Sequence, residues 1–222
     1  MSKKLSKDLI EKLKKLDAAS ISDALDKLGI TGGLLGLKPV HTGKVICGQA
    51  FTVKYIPCGQ EKGTVGDFLD DVETGQVVVL DNAGRDYCTV WGDIMSLYAT
   101  MKNVEGTIID GVCRDVPEIR RLGYPIFTKG HYMVTGKERV EVQSVNENVA
   151  VSGVQVRPGD VIFGDDTGVL VIPYDRVEDI LAVTEGIEKK EALIREALEA
   201  GKTLRQAREE MGYHTLQSKE EE

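Results

Sequence analysis

Apolar residues near the start of the chain recur every three or four positions. The spacing predicts a helix over 6–16 and a second over about 19–28, closed by Gly29 in the manner of a C-terminal glycine. After the glycine-rich connection "ITGGLLGLKPV" the pattern changes. "GKVICGQAFTVKYIP" (43–57) has the β-branched and aromatic content of a strand, interrupted by Gly48. "VGDFLDDV" predicts a short helix, and "GQVVVLDNAG" a buried strand bounded by turn residues. "WGDIMSLYATMKNVEG" returns to helical spacing, with Asp93 at its start, where negative charge suits the helix dipole. "GTIIDG" reads as another buried strand, "VPEIRRLG" as a one- or two-turn helix opened by Pro117, and "YPIFTKG" as a strand. Short strands separated by "RPGD" and "GDDTG" turns fill 138–172. A charged helix covers about 175–200 and stops at Gly201, and 205–222 read as a frayed acidic tail.

Strand–helix–strand units, then a run of strands, then a closing helix predict a mixed α/β layered architecture. No repeat or low-complexity linker divides it, so 1–222 read as one domain whose first 16 residues are an N-terminal helix. A net charge of −8 without a basic stripe argues against nucleic-acid and anionic-membrane partners. An anionic small substrate would need a locally positive pocket. No apolar run approaches a membrane span, and the start lacks the form of a secretion signal. Cys47, Cys58, Cys88 and Cys113 form no CxxC pair and lie in or beside apolar runs, which predicts reduced thiols and a cytoplasmic location. His41, His131 and His214 are not at ligand spacing, so any metal is expected to be a hard ion held by oxygen rather than a histidine-bound zinc.

The stretch "DGVCRDVPEI" (110–119) carries the chemistry. Arg114 and Asp115 stand side by side just past the strand "TIID", while Gly92 and Asp93 open the helix after the preceding strand. In a parallel sheet both places fall at the carboxyl ends of strands, where ligand clefts form. The backbone N–H groups of Asp93, Ile94 and Met95 would face an anion there, and Arg114 could clamp the same carboxylate with a forked pair of bonds. Asp115 and Asp93 would suit Mg²⁺ or Mn²⁺. An α-keto acid satisfies both halves, its carboxylate meeting Arg114 and its keto oxygen the metal. On spacing alone an Arg–Asp pair after a strand is more often a surface ion pair, and Asp93 more often a plain helix-start carboxylate than a ligand.

"WGDIMSLYATMKNVEGTIIDGVCRDVPEIRRLGYPIF" resembles the core of the family that joins class II pyruvate aldolases (4-hydroxy-4-methyl-2-oxoglutarate aldolase) to the RraA-like regulators of ribonuclease E. The aldolase hallmark, an Asp followed by twenty residues and then Arg-Asp, is matched by Asp93, 94–113 and Arg114–Asp115. The resemblance runs from about 17 to 205 and includes "RPGDVIFGDDTGVLVIP" and "KEALIREALEAG". It implies a swivelling β/β/α-type α/β domain with central sheets flanked by helices, assembled as a homotrimer or homohexamer with sites between subunits. It also implies that Asp115 binds the divalent metal and Asp93 a water on it, and that Arg114 binds substrate and steadies an enolate. The backbone of Gly92, Asp93, Ile94 and Met95 would hold the pyruvyl carboxylate. Glu191 matches a glutamate that a neighbouring subunit's terminal helix supplies, with Glu188 as the fallback.

The implied activity is metal-dependent cleavage of a 4-hydroxy-2-keto diacid to pyruvate, accompanied by oxaloacetate decarboxylation. The alternatives are a non-catalytic RraA-like protein that regulates a ribonuclease through protein contacts, and another metal-dependent lyase or hydrolase on the same scaffold. The chain departs from the aldolases at "PCGQEKGTVGD" (57–67), where they carry Pro-Gly-Asp-Asn, which leaves the distal end of the substrate open.

Other candidates have plainer readings. Glu118 is expected to stabilise its own helix, and Asp165–Asp166 to shape a tight turn. Arg85 could hold a distal carboxylate or form a loop ion pair with Asp86. Lys129 is expected to be an exposed lysine rather than a Schiff-base former, and His131 to be structural.

Overall fold

The run Val77–Leu80 is apolar at every position because both of its faces are covered. Val78 and Leu80 point to one core with Ala99 and Ile119, while Val77 and Val79 point to another with Ile46, Ala50, Ile108 and Phe127. The period of two thus places alternate side chains in separate layers of one domain.

The computed structural model describes residues 4–60 and 63–212. Its helices are α1 (Lys7–Leu13), α2 (Ala18–Lys27), α3 (Asp93–Met101), α4 (Val116–Leu122), α5 (Val177–Glu199) and α6 (Leu204–Glu210). Its strands are β1 (Lys38–Pro39), β2 (Ile46–Pro57), β3 (Val77–Thr89), β4 (Gly106–Cys113), β5 (Ile126–His131), β6 (Val140–Val145), β7 (Val149–Val151), β8 (Val154–Val156), β9 (Val161–Gly164) and β10 (Val169–Ile172). The short helix expected in "VGDFLDDV" is a 3-10 helix over Asp67–Asp71.

Strands β2, β3, β4 and β5 pair in parallel, in that spatial order. β9 adds to the other edge of β2 and β10 to β9, both antiparallel, and β1 pairs antiparallel with β5. Gly33 bridges to Leu170 on β10, and the chain then runs to Lys38–Pro39 beside β5. That segment links the two edges, so the sheet nearly closes on itself. The hairpin of β7 and β8 places its valines in the enclosed core, whereas α1, α2 and α5 cover β9 and β10. The expected mixed α/β domain flanked by helices is the observed one.

Two expectations are corrected. "DNAG" does not end a strand: β3 continues to Thr89, with register shifts between Asp81 and Arg85 and again between Arg85 and Thr89. Ala83 (φ 49) and Gly84 (φ 68) absorb the irregularity in the left-handed region, so turn-type residues here mark a bulge within a strand. The tail is also not frayed from 205. Thr203 and Gln206 form a reciprocal capping box that opens α6, and Ala207 is buried against Ile194 and Ala197 of α5. The rest of that expected tail, 213–222, lies outside the described residues.

Candidate functional site

Because β3 and β4 are parallel neighbours, the segments that leave them emerge side by side. Val90 and Trp91 are buried and lead into Gly92, the N-cap of α3. Arg114 and Asp115 follow β4, and Asp115 is the N-cap of α4. The Arg114 N–H donates to the Trp91 carbonyl at 3.1 Å, which ties the two crossings together.

Asp115 is bent away from the ordinary work of a cap. Its backbone is left-handed (φ 58, ψ 34), and its carboxylate makes no bond to the first turn of α4. A non-glycine residue held there costs about 1–3 kcal/mol unless its surroundings compensate. The carboxylate faces the neighbouring helix instead. Oδ2 accepts the Asp93 N–H at 3.2 Å and lies 3.3 Å from Arg114 Nε. Asp93 in turn accepts the Ile94 N–H on Oδ1 at 2.8 Å. The amides of Asp93 and Ile94 are therefore already engaged by carboxylates, and an incoming anion would displace them. Gly92 makes this approach feasible: a Cβ there would lie 2.6 Å from Asp115 Oδ2 and 3.3 Å from Arg114 Nε.

The start of α3 is anchored from beneath. Trp91 Nε1 donates to Ser96 Oγ at 2.8 Å, the Ser96 hydroxyl donates to the Gly92 carbonyl at 2.9 Å, and the indole stacks on Tyr124 with centroids 6.0 Å apart. Ser96→Ala leaves the buried indole N–H unpaired and is expected to destabilise the fold by about 1–3 kcal/mol. Urea denaturation measures this, and an unchanged midpoint would remove the hydroxyl from the account.

A cavity of about 750 Å³ opens over this junction, lined by Gly92–Met95 and Arg114 on one side and by Gly63–Asp67 and Thr135, Lys137 and Glu138 elsewhere. Asp115 is not in its lining but abuts it through Gly92 and Arg114. The wall at 63–67 belongs to the stretch that departs from the aldolase pattern. It is held by the Tyr55 hydroxyl on the Val65 carbonyl (2.5 Å) and by Val142 N–H on the Thr64 carbonyl (3.1 Å). Glu61 and Lys62 lie outside the described residues.

Among the described residues no cluster of three or more His, Cys, Asp or Glu side chains is arranged to hold a metal ion. At this junction the acidic residues are Asp115 and Asp93, joined by the Asp93 N–H on Asp115 Oδ2. One or two carboxylates, completed by water and substrate oxygens, is the customary protein share of a Mg²⁺ site, so this donor set fits a hard ion and does not fit zinc. The described lining also sets Asp67, Asp70, Asp93 and Glu138 against Arg114 and Lys137, an acidic balance that would disfavour an anionic substrate without an added cation.

Other candidates are placed elsewhere. Glu191 sits on α5, where Arg195 donates to its carboxylate at 3.2 Å. Glu188 is pushed above the usual carboxylate range by burial and then by the charge of Asp17. Neither lines the cavity of its own chain. Arg85 is corrected on both counts: it lies in β3, and its guanidinium donates to the Asn82 carbonyl (3.0 Å) and side chain (3.3 Å) and towards the Tyr55 carbonyl (3.4 Å), away from the lining. Lys129 is paired with Asp110 at 2.5 Å. Asp165 accepts the Thr167 and Ala18 N–H groups, and Asp166 that of Gly43, so this acidic pair shapes the turn and joins it to α2. Glu118 makes a two-bond ion pair with Arg121 (2.6 and 2.8 Å). Cys47 and Cys113 are pushed up to about 12, chiefly by burial, and His131 is pushed down by burial and by Arg120.

Sequence reasoning missed Lys137, and it missed the paired Asp81 and Asp110, which are direct neighbours across β3 and β4 and line a separate cavity of about 580 Å³ with Lys129. The repeated ending of "VVVLD" and "GTIID" was the available signal for that pair.

Fold and geometry together define a mixed α/β protein with a cavity at the carboxyl ends of parallel strands, beside an arginine–aspartate pair and a helix start. The chain belongs to the RraA-like family, Aldolase/RraA, whose model matches residues 18–171. It is 43% identical over 210 residues to protein DlpA of Legionella pneumophila, covering 93% of this chain but only 34% of that longer protein. It is 30% identical over 185 residues to a Halalkalibacterium halodurans protein provisionally named 4-hydroxy-4-methyl-2-oxoglutarate aldolase, covering 83% of this chain and 84% of the relative. The crystal structure of Streptomyces coelicolor RraAS2, described as an unusual member of the RNase ES inhibitor RraA family, superposes with a TM-score of 0.82 at 26% identity, over 88% of this chain and 99% of that one. No helix among the described residues is long and apolar enough to cross a membrane.

Proposed function

We propose that the chain is a divalent-metal-dependent aldolase that cleaves a 4-hydroxy-2-keto acid, such as 4-hydroxy-4-methyl-2-oxoglutarate, to pyruvate. The observation that carries this reading is the convergence of Arg114, Asp115 and the start of α3 across Gly92 at the wall of the cavity. Relatives provisionally named for that activity support it.

Asp115, with Asp93, would hold Mg²⁺ or Mn²⁺. When bound, the ion supplies Lewis acidity at the 2-keto oxygen. Arg114 binds the substrate carboxylate and faces the oxygen on which negative charge develops, where a preorganised donor contributes most. The first turn of α3, from Gly92 through Ile94 and Met95, orients the pyruvyl carboxylate with its amides. Asp93, together with Glu191 (or Glu188) from a second copy of the chain, positions the water that takes the C4 hydroxyl proton. The C3–C4 bond then breaks, its electron pair forms the enolate of pyruvate, the C4 carbonyl product leaves, and a proton returned to C3 gives pyruvate. Decarboxylation of oxaloacetate passes through the same enolate and is expected alongside.

A second copy is needed to complete the site, and α3 offers a place for one. Ile94, Leu97, Tyr98 and Met101 repeat along one face, with Ile94 78% and Met101 70% exposed, so an apolar stripe runs out from the cavity. A trimer or hexamer that covers this stripe brings α5 of a neighbour to the cleft. Neutral, buried thiols at Cys47 and Cys113 suit a reducing, cytoplasmic setting.

Pyruvate release, coupled to a reductase and followed with 4-hydroxy-4-methyl-2-oxoglutarate and with oxaloacetate, tests the reading. Turnover is expected with Mg²⁺ or Mn²⁺ and is expected to vanish with chelator. No product from either substrate with either metal would turn the assignment towards the non-catalytic, RraA-like regulator.

A further inference from the structure

Asp81, Asp110 and Lys129 form a row of charge across three neighbouring strands. Asp81 and Asp110 are register partners on β3 and β4, and Lys129 follows Thr128, the partner of Ile109, on β5. By the period of two, all three stand on the face that carries Val79, Ile108 and Phe127, at the mouth of the enclosed core. They line a cavity of about 580 Å³ that shares no lining residue with the cavity beside Arg114. Asp81 is 6% exposed and Asp110 5%, so two carboxylates are withdrawn from water side by side. Such charges are costly unless they are paired and hydrogen-bonded.

Here the pairing is incomplete. Lys129 Nζ lies 2.5 Å from Asp110 Oδ1, yet its direction of approach leaves this buried oxygen without a hydrogen bond. Asp110 Oδ2 accepts the Ser152 N–H and Asp81 Oδ2 the Ala150 N–H, each at 3.4 Å, longer than an ordinary N–H···O bond. Asp81 Oδ1 accepts the Ala83 N–H at an ordinary 2.9 Å. Three of the four oxygens are therefore poorly satisfied, and two carboxylates against one ammonium leave the row one positive charge short. The rest of the described lining supplies apolar contact from Leu35, Ala83 and Ala150 and no further cation. The Ser152 hydroxyl donates to the Leu35 carbonyl at 2.8 Å and ties the rim to the hairpin of β7 and β8.

We propose that this cavity binds an aliphatic primary ammonium ligand, whose head bridges Asp81 and Asp110 beside Lys129 and whose chain lies against Leu35, Ala83 and Ala150. An alkyl ammonium brings one positive charge and three donors, which match the missing charge and the three poorly satisfied oxygens. A divalent ion is the poorer match. The Lys129 ammonium already stands at Asp110 Oδ1, where it would repel the ion. Among the described residues no third acidic, thiol or imidazole side chain joins the two aspartates to complete a metal site. The inference is independent of the aldolase reading, because the two cavities have no residue in common.

The test titrates n-butylammonium chloride into the full chain at constant ionic strength, followed by isothermal titration calorimetry. n-Butanol carries the same chain without the charge, tetramethylammonium the charge without N–H donors, and MgCl₂ the competing ion. Saturable binding of butylammonium, but not of butanol or tetramethylammonium, is expected. Asp81→Asn and Asp110→Asn should each weaken it about tenfold or more, the loss usual for a charge-assisted bond. Lys129→Met should tighten it, because the row then lacks two positive charges instead of one. A purely structural ion pair gives no such opposite signs. Asp115→Ala, beside the other acidic cavity, should bind butylammonium as the parent does. Melting temperatures establish that each variant is folded, and butylammonium should raise that of the parent more than that of Asp81→Asn. No saturation by butylammonium, equal binding of butanol or tetramethylammonium, parental affinity in both asparagine variants, or a loss confined to Asp115→Ala overturns the proposal. Magnesium binding that excludes butylammonium and is lost in Asp81→Asn overturns it in favour of a metal site.

Discussion

Arg114→Ala will lower kcat/KM for pyruvate release by about a hundredfold or more, the loss usual when a preorganised partner of a developing oxyanion is removed. The fold will hardly notice. The Arg114 side chain is 40% exposed, and its ion pair with Asp115 spans 3.3 Å at the surface of the cleft. Exposed pairs of this kind are worth about 0–1 kcal/mol, so the melting temperature should stay near that of the parent. Lysine is a poor replacement, because the fork that grips a carboxylate with two parallel bonds is absent. Asp115→Ala should fall as far, by removing the carboxylate proposed to hold the metal. The same change frees the Asp93 N–H, so binding of a simple anion could even improve while turnover fails. Both variants retaining parental kcat/KM would leave the Arg–Asp pair as a surface ion pair and nothing more.

The parts of this molecule that were legible in the sequence are those written locally. Period-two runs such as Val77–Leu80 and the three-to-four spacing of α3 depend on which face is buried, and burial leaves a direct trace in residue type. The separation between Asp93 and Arg114–Asp115 was legible for the same reason: one helix and one strand of ordinary length lie between two neighbouring strand ends. Features that depend on a partner distant in sequence were not. "DNAG" looks like a turn until β4 pairs on both sides of it, which makes the left-handed Ala83 and Gly84 a bulge. Arg85 and Lys137 are both isolated cations in polar segments. Only the fold decides that Arg85 is consumed by Asn82 while Lys137 faces the cleft. The α6 capping box was available as Thr203 and Gln206 but was hidden by the density of charge around it. Glu191 is a different case, since its proposed role belongs to a second copy that one chain's geometry cannot supply.

Gly92→Ala is expected to silence the site nearly as deeply as Asp115→Ala, although alanine is sterically permitted by the backbone. Gly92 is extended (φ −149, ψ −163), a conformation open to any residue, so the change stores no backbone strain. The conflict lies with the side chains opposite. A Cβ would sit 2.6 Å from Asp115 Oδ2 and 3.3–3.4 Å from Arg114 Nε and Cγ, so the carboxylate must retreat. The left-handed backbone of Asp115 restricts where it can go, and its retreat breaks the bond to the Asp93 N–H. Shifting both functional groups by about 1 Å can cost a hundredfold in rate without touching the core. Circular dichroism and the melting temperature should therefore match the parent, while the Mg²⁺ requirement rises and kcat collapses. The double variant Gly92→Ala/Asp115→Ala separates mechanism from coincidence. If the alanine methyl acts by displacing that carboxylate, deleting the carboxylate removes the conflict, and the double variant should be no worse than Asp115→Ala alone. Strictly additive losses, or parental activity in Gly92→Ala, would show that the close approach at this glycine has no bearing on the chemistry.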